Sequence, residues 1–297
     1  MKSNSFVSII IPTYHDWSRL ALCIKALDNQ TYPKEFFEVI IVNNDPNDQV
    51  PANYYLPRNM SILSEGKAGS YAARNAGLEV AKGEIIGFTD ADCVPHSDWI
   101  TNAVERFSTG NVDRLGGKIE LFYQNASKKT WIELYESIYS FNQKKTVEVL
   151  KGSVTANFFA RRELFDKVGK FDASKKSGDD IGWNRRANTH GFNLFYADNV
   201  KIGHPARATF KEFTNQRRRE FGGKKEFNLN FKSIIKNILY IPYLFYVLVI
   251  NKTWSLLLNE KNVPLVDKAK VTTVNIYLYF ILVFEFFKLM FGGARVR

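Results

Sequence analysis

Gly83-Glu84-Ile85-Ile86-Gly87-Phe88-Thr89-Asp90-Ala91-Asp92-Cys93 is the stretch whose reading decides how the chain folds. Its apolar first half follows a glycine and is long enough for one buried strand, too short for a buried helix. Its second half ends that strand with two carboxylates one residue apart. Side chains two positions apart on an extended strand share a face, so Asp90 and Asp92 aim at one point just beyond the strand end. Ligands bind at such a place in open α/β sheets. Two hard oxygen ligands there suit Mg²⁺ or Mn²⁺ holding a diphosphate. The plain alternative is a solvated acidic turn, because loops are rich in aspartate.

On the N-terminal side, the strand from Phe6 to Ile11 stops at Pro12-Thr13-Tyr14, where proline removes a backbone donor. Asp16 or Ser18 caps a helix with Leu20, Ile24 and Leu27 on one face. A second strand, Val39 to Val42, ends in the polar turn Asn43-Asn44-Asp45-Pro46. Strand, helix, strand at this spacing is a βαβ unit and predicts a parallel sheet with right-handed crossovers. Met60 to Leu63 reads as a third strand, and Ser70 as the cap of a helix from Tyr71 to about Ala81.

On the C-terminal side, a helix follows Pro95 with Ile100, Ala103, Val104 and Phe107 on one stripe. Trp131 to Phe141 is amphipathic, Gly152 to Ala160 reads as a strand, and Arg162 to Val168 as a short helix. Asp179-Asp180 opens a helix that Gly191 ends, and strands at Asn193–Ala197 and Val200–Ile202 close the pattern.

In a parallel sheet the polar strand ends gather along one edge: Pro12-Thr13-Tyr14, Asn43-Asn44-Asp45, Lys67 with Arg74-Asn75, and Asp90-Ala91-Asp92. Such a cluster suits a nucleotide, with Thr13 and Asn43 for the base, a basic residue, and carboxylates for a metal on the diphosphate. At Asp179-Asp180 the helix N-terminus favours ionised carboxylates while each neighbour opposes the other's charge. An ionised carboxylate beside a sugar's reactive carbon can accept the proton of an incoming hydroxyl.

The bulk numbers frame this. A chain of 297 residues that is 45% hydrophobic and 24% charged is a folded globular protein with room for one large domain and an appendage. A net charge of +11 favours anionic partners. With only 2 cysteines, Cys23 and Cys93, no disulfide framework or zinc spacing can be built, which points to a reducing cytoplasm. No secretory signal is expected, because the apolar run after Ser5 is too short for one.

Past Pro205 the composition changes. Lys211 to Lys225 is strongly basic around Arg217-Arg218-Arg219, and two apolar segments follow, Ile238–Ile250 and Val274–Phe291. A spanning helix needs roughly 20 apolar residues. The first segment falls short unless it continues through Asn251, Lys252 and Thr253 to Leu258, and the second carries Glu285 and Lys288. The expectation is a catalytic domain over 1–225 and an apolar, basic helical region over 226–297 lying in the plane of a membrane surface. Packing on the catalytic domain or a partner subunit, or a true span, are the alternatives.

The segments Val7-Ser8-Ile9-Ile10-Ile11-Pro12-Thr13-Tyr14, Val39-Ile40-Ile41-Val42-Asn43-Asn44, Ala73-Arg74-Asn75-Ala76-Gly77, Asp90-Ala91-Asp92 and Gly178-Asp179-Asp180, in this order, resemble the family 2 glycosyltransferases of the GT-A fold. The resemblance implies a Rossmann-like, mostly parallel mixed sheet flanked by helices. It also implies inverting transfer of a sugar from a nucleoside diphosphate to a hydroxyl, assisted by Mn²⁺ or Mg²⁺. By it Asp90 touches the ribose or the metal, Asp92 is the principal metal ligand, Asp180 is the general base and Asp179 orients the acceptor. Asn157 matches an acceptor-side position, and Lys67 joins Arg74 at the donor.

Two departures stand out. Asn43 replaces the family's usual aspartate, though it can still accept from a uracil ring, so UDP is kept. Gln216-Arg217-Arg218-Arg219 is similar to the Gln-x-x-Arg-Trp of processive synthases, but Glu220 stands where Trp belongs, so one sugar is added at a time. Arg219 contacts either the diphosphate or lipid head groups. His204 is read as a ligand of the metal or diphosphate, with a structural histidine as the alternative; Trp183 as a stacking face for an acceptor sugar, with a core position as the alternative.

The expected partners are a nucleotide sugar, a saccharide or lipid-linked acceptor and the cytoplasmic face of a membrane. No nucleic acid is expected, and the C-terminal helices allow an oligomer. The rivals are a sugar-1-phosphate nucleotidylyltransferase, which needs a Gly-rich basic loop that Pro12-Thr13-Tyr14-His15-Asp16 does not supply, and a non-enzymatic nucleic-acid or lipid-binding module.

Overall fold

In a computed structural model of the chain, residues 5–224 and 239–294 are described. Lys225 and Ile238, which bound two of the segments above, lie outside them, as do the first residues of the chain.

The first unit comprises residues 1–121 and 141–205. It is built on an eight-stranded sheet in the order β3-β2-β1-β4-β7-β6-β8-β5. The strands are β1 (Val7–Thr13), β2 (Phe37–Asn43), β3 (Met60–Ser64), β4 (Ile85–Thr89), β5 (Val94–Pro95), β6 (Arg114–Phe122), β7 (Asn157–Arg161) and β8 (Leu194–Pro205). The first four pair in parallel, β7 runs antiparallel to β4, β6 to β7, and β5 to β8.

β1 explains the layering. Alternate side chains of a strand face opposite ways, and here both faces are covered. Ile9 and Ile11 enter one core with Leu20, Ile24 and Leu27 of α1 (Trp17–Asp28) and Ile100 and Phe107 of α3 (Trp99–Ser108). Ile10 enters the other with Tyr71 and Leu78 of α2 (Ser70–Val80) and Trp183 of the later helix Asp179–Thr189. Helices on both faces of a mostly parallel sheet are the expected α/β architecture.

Several local expectations shift. β6 has no counterpart in the sequence reading. Gly152–Ala160 narrows to β7, and the two short strands near the end merge into β8. Ser70 sits inside α2 rather than capping it; the cap is Gly69 at φ +129, a conformation that only glycine adopts without strain.

The second unit comprises residues 122–140 and 206–297. Its helices are α4 (Trp131–Tyr139), α8 (Phe210–Lys224), α9 (Leu239–Asn259) and α10 (Leu265–Met290), the labels α5 to α7 belonging to Gln143–Glu148, Glu163–Val168 and Asp179–Thr189 of the first unit. Thr130 and Glu133 form a capping box on α4, and Ile132 and Tyr135 share a core with Phe213, Leu248, Val274 and Leu278. That shared core is why α4 belongs here.

α9 continues past Ile250 through a π-helical stretch, Tyr246–Asn251, and like α10 is long and apolar enough to cross a membrane. Exposed apolar side chains are plentiful on both helices, Trp254 (64%), Phe280 (63%) and Phe284 (62%) among them. The basic run is largely spent inside the unit. Arg218 pairs with the fully buried Glu285 at 2.5 Å, and Arg217 reaches the buried Glu136 at 3.8 Å. Arg219 remains exposed.

Candidate active site

The parallel register sets the carboxyl ends of the first strands level: Thr13 pairs with Asn43, and Asn43 with Ser64. Thr13 is buried and its Oγ1 has no hydrogen-bond partner; the same holds for Thr89 Oγ1 at the end of β4. A buried hydroxyl without a partner costs stability, so these are places for a ligand to repay. Pro12 is half-buried beside them and Tyr14 is exposed.

Asn43 is turned to its own loop. Its Nδ2 donates to the Asp48 carbonyl at 2.7 Å, and its Oδ1 accepts from the Asp45 N–H. The expected base contact is therefore corrected to a loop clamp. Asn44, read from the sequence as part of the polar turn Asn43-Asn44-Asp45, ties the neighbouring turns. It donates to the carbonyls of Glu65 (3.0 Å) and Lys67 (2.8 Å) and accepts from the Gly69 N–H (2.7 Å). That fixes the exposed Lys67 and the entry to α2.

α2 then carries two side chains one turn apart. Residues at i and i+3 share a helix face. Arg74 is 4% exposed and donates through Nη2 to Asp90 Oδ1 at 2.5 Å. Tyr71 donates to Asp180 Oδ1 at 3.3 Å and accepts from the Asp180 N–H at 3.2 Å. The Arg74 guanidinium lies 5.8 Å from the Tyr71 ring centre. Burial, and then the charge of Asp180, pushes the Tyr71 phenol well above its ordinary value, so it stays a neutral donor. One helical turn thus joins the carboxylate at the end of β4 to the half-buried Asp180 at the start of α7, where Gly178 at φ +85 makes the turn into the helix.

Three expected site residues are corrected. Asp179 is fully buried, accepting from the Asp172 N–H at 2.6 Å and pairing with Lys175 and Arg186, so it locks the loop before α7 rather than an acceptor. Trp183 is fully buried, stacks on Phe165 at 4.7 Å and donates to the Gly169 carbonyl, so it is a core residue. Asn157 is fully buried between Trp99 Nε1–H and the carbonyls of Lys118 and Val200, so it joins β7 to its surroundings rather than facing an acceptor. All three are polar or aromatic groups at strand or helix starts, a pattern that sequence cannot separate from a ligand site.

Asp92 and His204 do come together. His204 is 3% exposed; its Nδ1–H donates to the Pro205 carbonyl at 2.8 Å, which turns Nε2 toward Asp92 Oδ1, 3.7 Å away. Orientation by a backbone carbonyl is how ligating histidines are held. Cys93 Sγ completes a group whose ligand atoms lie within 4.8 Å of one another. Asp90, expected as a second ligand, is held by Arg74 instead of joining that group. Arg19 of α1, unforeseen, brackets Asp92 at 3.5 Å and Asp16 at 2.6 Å. A buried imidazole whose Nε2 faces a carboxylate fits a divalent cation. Burial, reinforced by the charges of Asp90 and Asp92, pushes the Cys93 thiol well up.

The glycosyl transferase family 2 model matches residues 8–169, more than half of the chain. The chain belongs to that family. It is 37% identical over 207 residues to the glycosyltransferase AglE of Haloferax volcanii, covering 68% of this chain and 67% of that one. A second relative, 24% identical over 229 residues (71% of this chain, 70% of the other), is the Methanococcus voltae dolichyl N-acetyl-alpha-D-glucosaminyl phosphate 3-beta-D-2,3-diacetamido-2,3-dideoxy-beta-D-glucuronosyltransferase. Among solved structures, a mannosyltransferase of Pyrobaculum calidifontis in complex with GDP-Man and Mn²⁺ superposes with TM-score 0.57 at 17% identity, covering 99% of this chain and 77% of the other. That likeness establishes the GT-A fold, and membership of the family makes the chain a hexosyltransferase-type enzyme of polysaccharide or glycoconjugate synthesis.

Proposed function

We infer that this family 2 glycosyltransferase moves a sugar from a nucleoside diphosphate, with UDP the expected carrier, to a hydroxyl of a lipid-phosphate-linked saccharide, inverting the anomeric carbon. The observation that carries the reading is the Asp90–Arg74 and Tyr71–Asp180 pairing on one turn of α2. It puts a carboxylate at the donor end of the sheet within one helix turn of a carboxylate able to take a proton.

Thr13 has an unused buried hydroxyl for the base, and Asp90, steadied by Arg74, faces the ribose. Asp92 and His204 would hold Mn²⁺ or Mg²⁺, which supplies positive charge to the departing diphosphate. Asp180 accepts the acceptor's hydroxyl proton as that oxygen attacks, and Tyr71 holds its carboxylate in place. A single displacement with one base gives inversion. Lys67 stays a candidate for the diphosphate by its charge and exposure.

The acceptor class is supported by the Methanococcus relative's lipid phosphate and by the exposed apolar faces of α9 and α10, which suit the cytoplasmic surface of a membrane, in plane, with an oligomer through the same helices as the alternative use. The test is a screen of nucleotide sugars for Mn²⁺-dependent release of nucleoside diphosphate with a polyprenyl-phosphate sugar as acceptor, followed by the anomeric configuration of the product. An inverted product supports the reading. A retained configuration, or nucleotidyl transfer in its place, contradicts it.

A further inference from the structure

Cys93 is a fully buried thiol that the reaction above does not use. Its position follows from the sheet. The antiparallel ladder of β5 and β8 pairs Val94 with Gly203. One step along, Cys93 therefore stands opposite His204, where paired side chains come within roughly 5 Å of each other. Asp92 is its chain neighbour, and the Cys93 N–H donates to the Asp90 carbonyl at 3.1 Å, which turns the loop so that both side chains reach the imidazole.

The distances are those of a metal site slightly open. His204 Nε2 lies 3.7 Å and Cys93 Sγ 4.0 Å from Asp92 Oδ1, and all three ligand atoms lie within 4.8 Å of one another. A tetrahedral ion bonded to one oxygen and one nitrogen at about 2.0–2.1 Å and one sulfur at about 2.3 Å holds such atoms roughly 3.3–3.6 Å apart. The two separations from Asp92 Oδ1 need to close by about half an ångström or less, and the widest of the set by no more than about 1.3 Å, within the reach of side-chain torsions. His204 is already fixed on its far side by the Pro205 carbonyl.

We propose that Cys93 is the third protein ligand of the Asp92–His204 site, so that the site prefers borderline-soft divalent ions, Co²⁺ and Zn²⁺, bound through a thiolate. The proposal rests on the reading of Asp92 and His204 as metal ligands. Oxygen and imidazole alone serve Mn²⁺ and Mg²⁺, whereas a thiolate raises affinity selectively for softer ions. On binding, the Cys93 S–H bond breaks, the sulfur–metal bond forms and the proton passes to solvent. Asp90, held by Arg74, stays outside the set.

Co²⁺ is the probe, because a thiolate-to-cobalt charge-transfer band in the near ultraviolet reports sulfur in the coordination sphere directly. The full-length protein titrated with Co²⁺ should develop that band at one ion per chain. The chain has only 2 cysteines, so Cys23→Ser, which leaves Cys93 as the sole thiol, should keep the band, and Cys93→Ser should lose it. The ratio of Co²⁺ to Mn²⁺ affinity should fall at least about tenfold in Cys93→Ser. Should that variant fail to fold, the wild-type and Cys23→Ser spectra still decide the matter. Co²⁺ binding without the band in either protein overturns the proposal and leaves the Asp92–His204 reading standing. Failure of wild type to bind Co²⁺ or Mn²⁺ at all overturns both. A band that Cys23→Ser loses also overturns it.

Discussion

Replacing Tyr71 with phenylalanine isolates the hydroxyl that links α2 to the proposed base. The ring keeps its place, stacked on Phe171 at 5.7 Å, so the change falls on the hydroxyl's contacts with the start of α7: Asp180 at 3.3 and 3.2 Å and the Asp179 backbone. A hydrogen bond to a charged group contributes about 1.5–3 kcal/mol, and contacts this long belong at the low end. Roughly 1.4 kcal/mol corresponds to about a tenfold rate change. Tyr71 donates to Asp180 Oδ1 and so holds the carboxylate where it meets the acceptor's hydroxyl. Without that donor kcat should fall about tenfold in Tyr71→Phe, and the donor KM should hold. Initial rates of nucleoside diphosphate release at varied donor concentration give the answer. An unchanged kcat refutes the reasoning, as does a loss expressed in donor KM.

Asp180→Asn should lower kcat by about 10²–10⁴-fold while nucleotide affinity is unchanged in calorimetry; lost nucleotide binding would assign Asp180 to the donor instead. His204→Gln should weaken Mn²⁺ binding by at least about tenfold, read by electron paramagnetic resonance of free Mn²⁺, with thermal stability in EDTA near wild type. Asn157→Leu leaves the Trp99 Nε1–H and the carbonyls of Lys118 and Val200 without their partner inside the core. At about 1–3 kcal/mol for each unsatisfied group, the midpoint of denaturant unfolding should fall sharply. An unchanged midpoint would show that the site relaxes or hydrates.

The parallel half of the sheet was legible because its strands are short continuous apolar runs, each stopped by a polar turn. Phe6 to Ile11, Val39 to Val42 and Ile85 to Thr89 all read that way and all pair as expected. β6 was not, since Arg114, Gly116, Gly117, Lys118 and Glu120 break both the apolar run and a clean alternation. Arg114 is nonetheless fully buried, its two terminal nitrogens donating to Asn184, Asn188 and the Phe192 carbonyl while Nε has no partner, and only tertiary contacts reveal that.

At the site, sequence spacing singled out Asp90, Asp92, Asp180 and His204, whose proposed roles depend on where a strand or helix ends. It failed where role depends on burial. Asp179 and Asp180 are adjacent and chemically identical, yet one is sealed under Lys175 and Arg186 while the other meets Tyr71. Asn43, Asn157 and Trp183 were misassigned for the same reason. Arg19 was overlooked because its partner Asp92 lies far along the chain, a relation no local pattern encodes. α4 joined the second unit for a comparable reason, through its core contacts with α8 to α10.

The proposed function stands or falls on Asp92 anchoring an ion on which nucleotide binding depends. Isothermal titration of the wild-type protein and Asp92→Asn with UDP, each with Mn²⁺ and with EDTA, decides it. Wild-type affinity should be at least about tenfold higher with Mn²⁺, and the variant's affinity should be the same in both conditions. Equal wild-type affinity with and without Mn²⁺, or an Mn²⁺ enhancement that survives in Asp92→Asn, would contradict it.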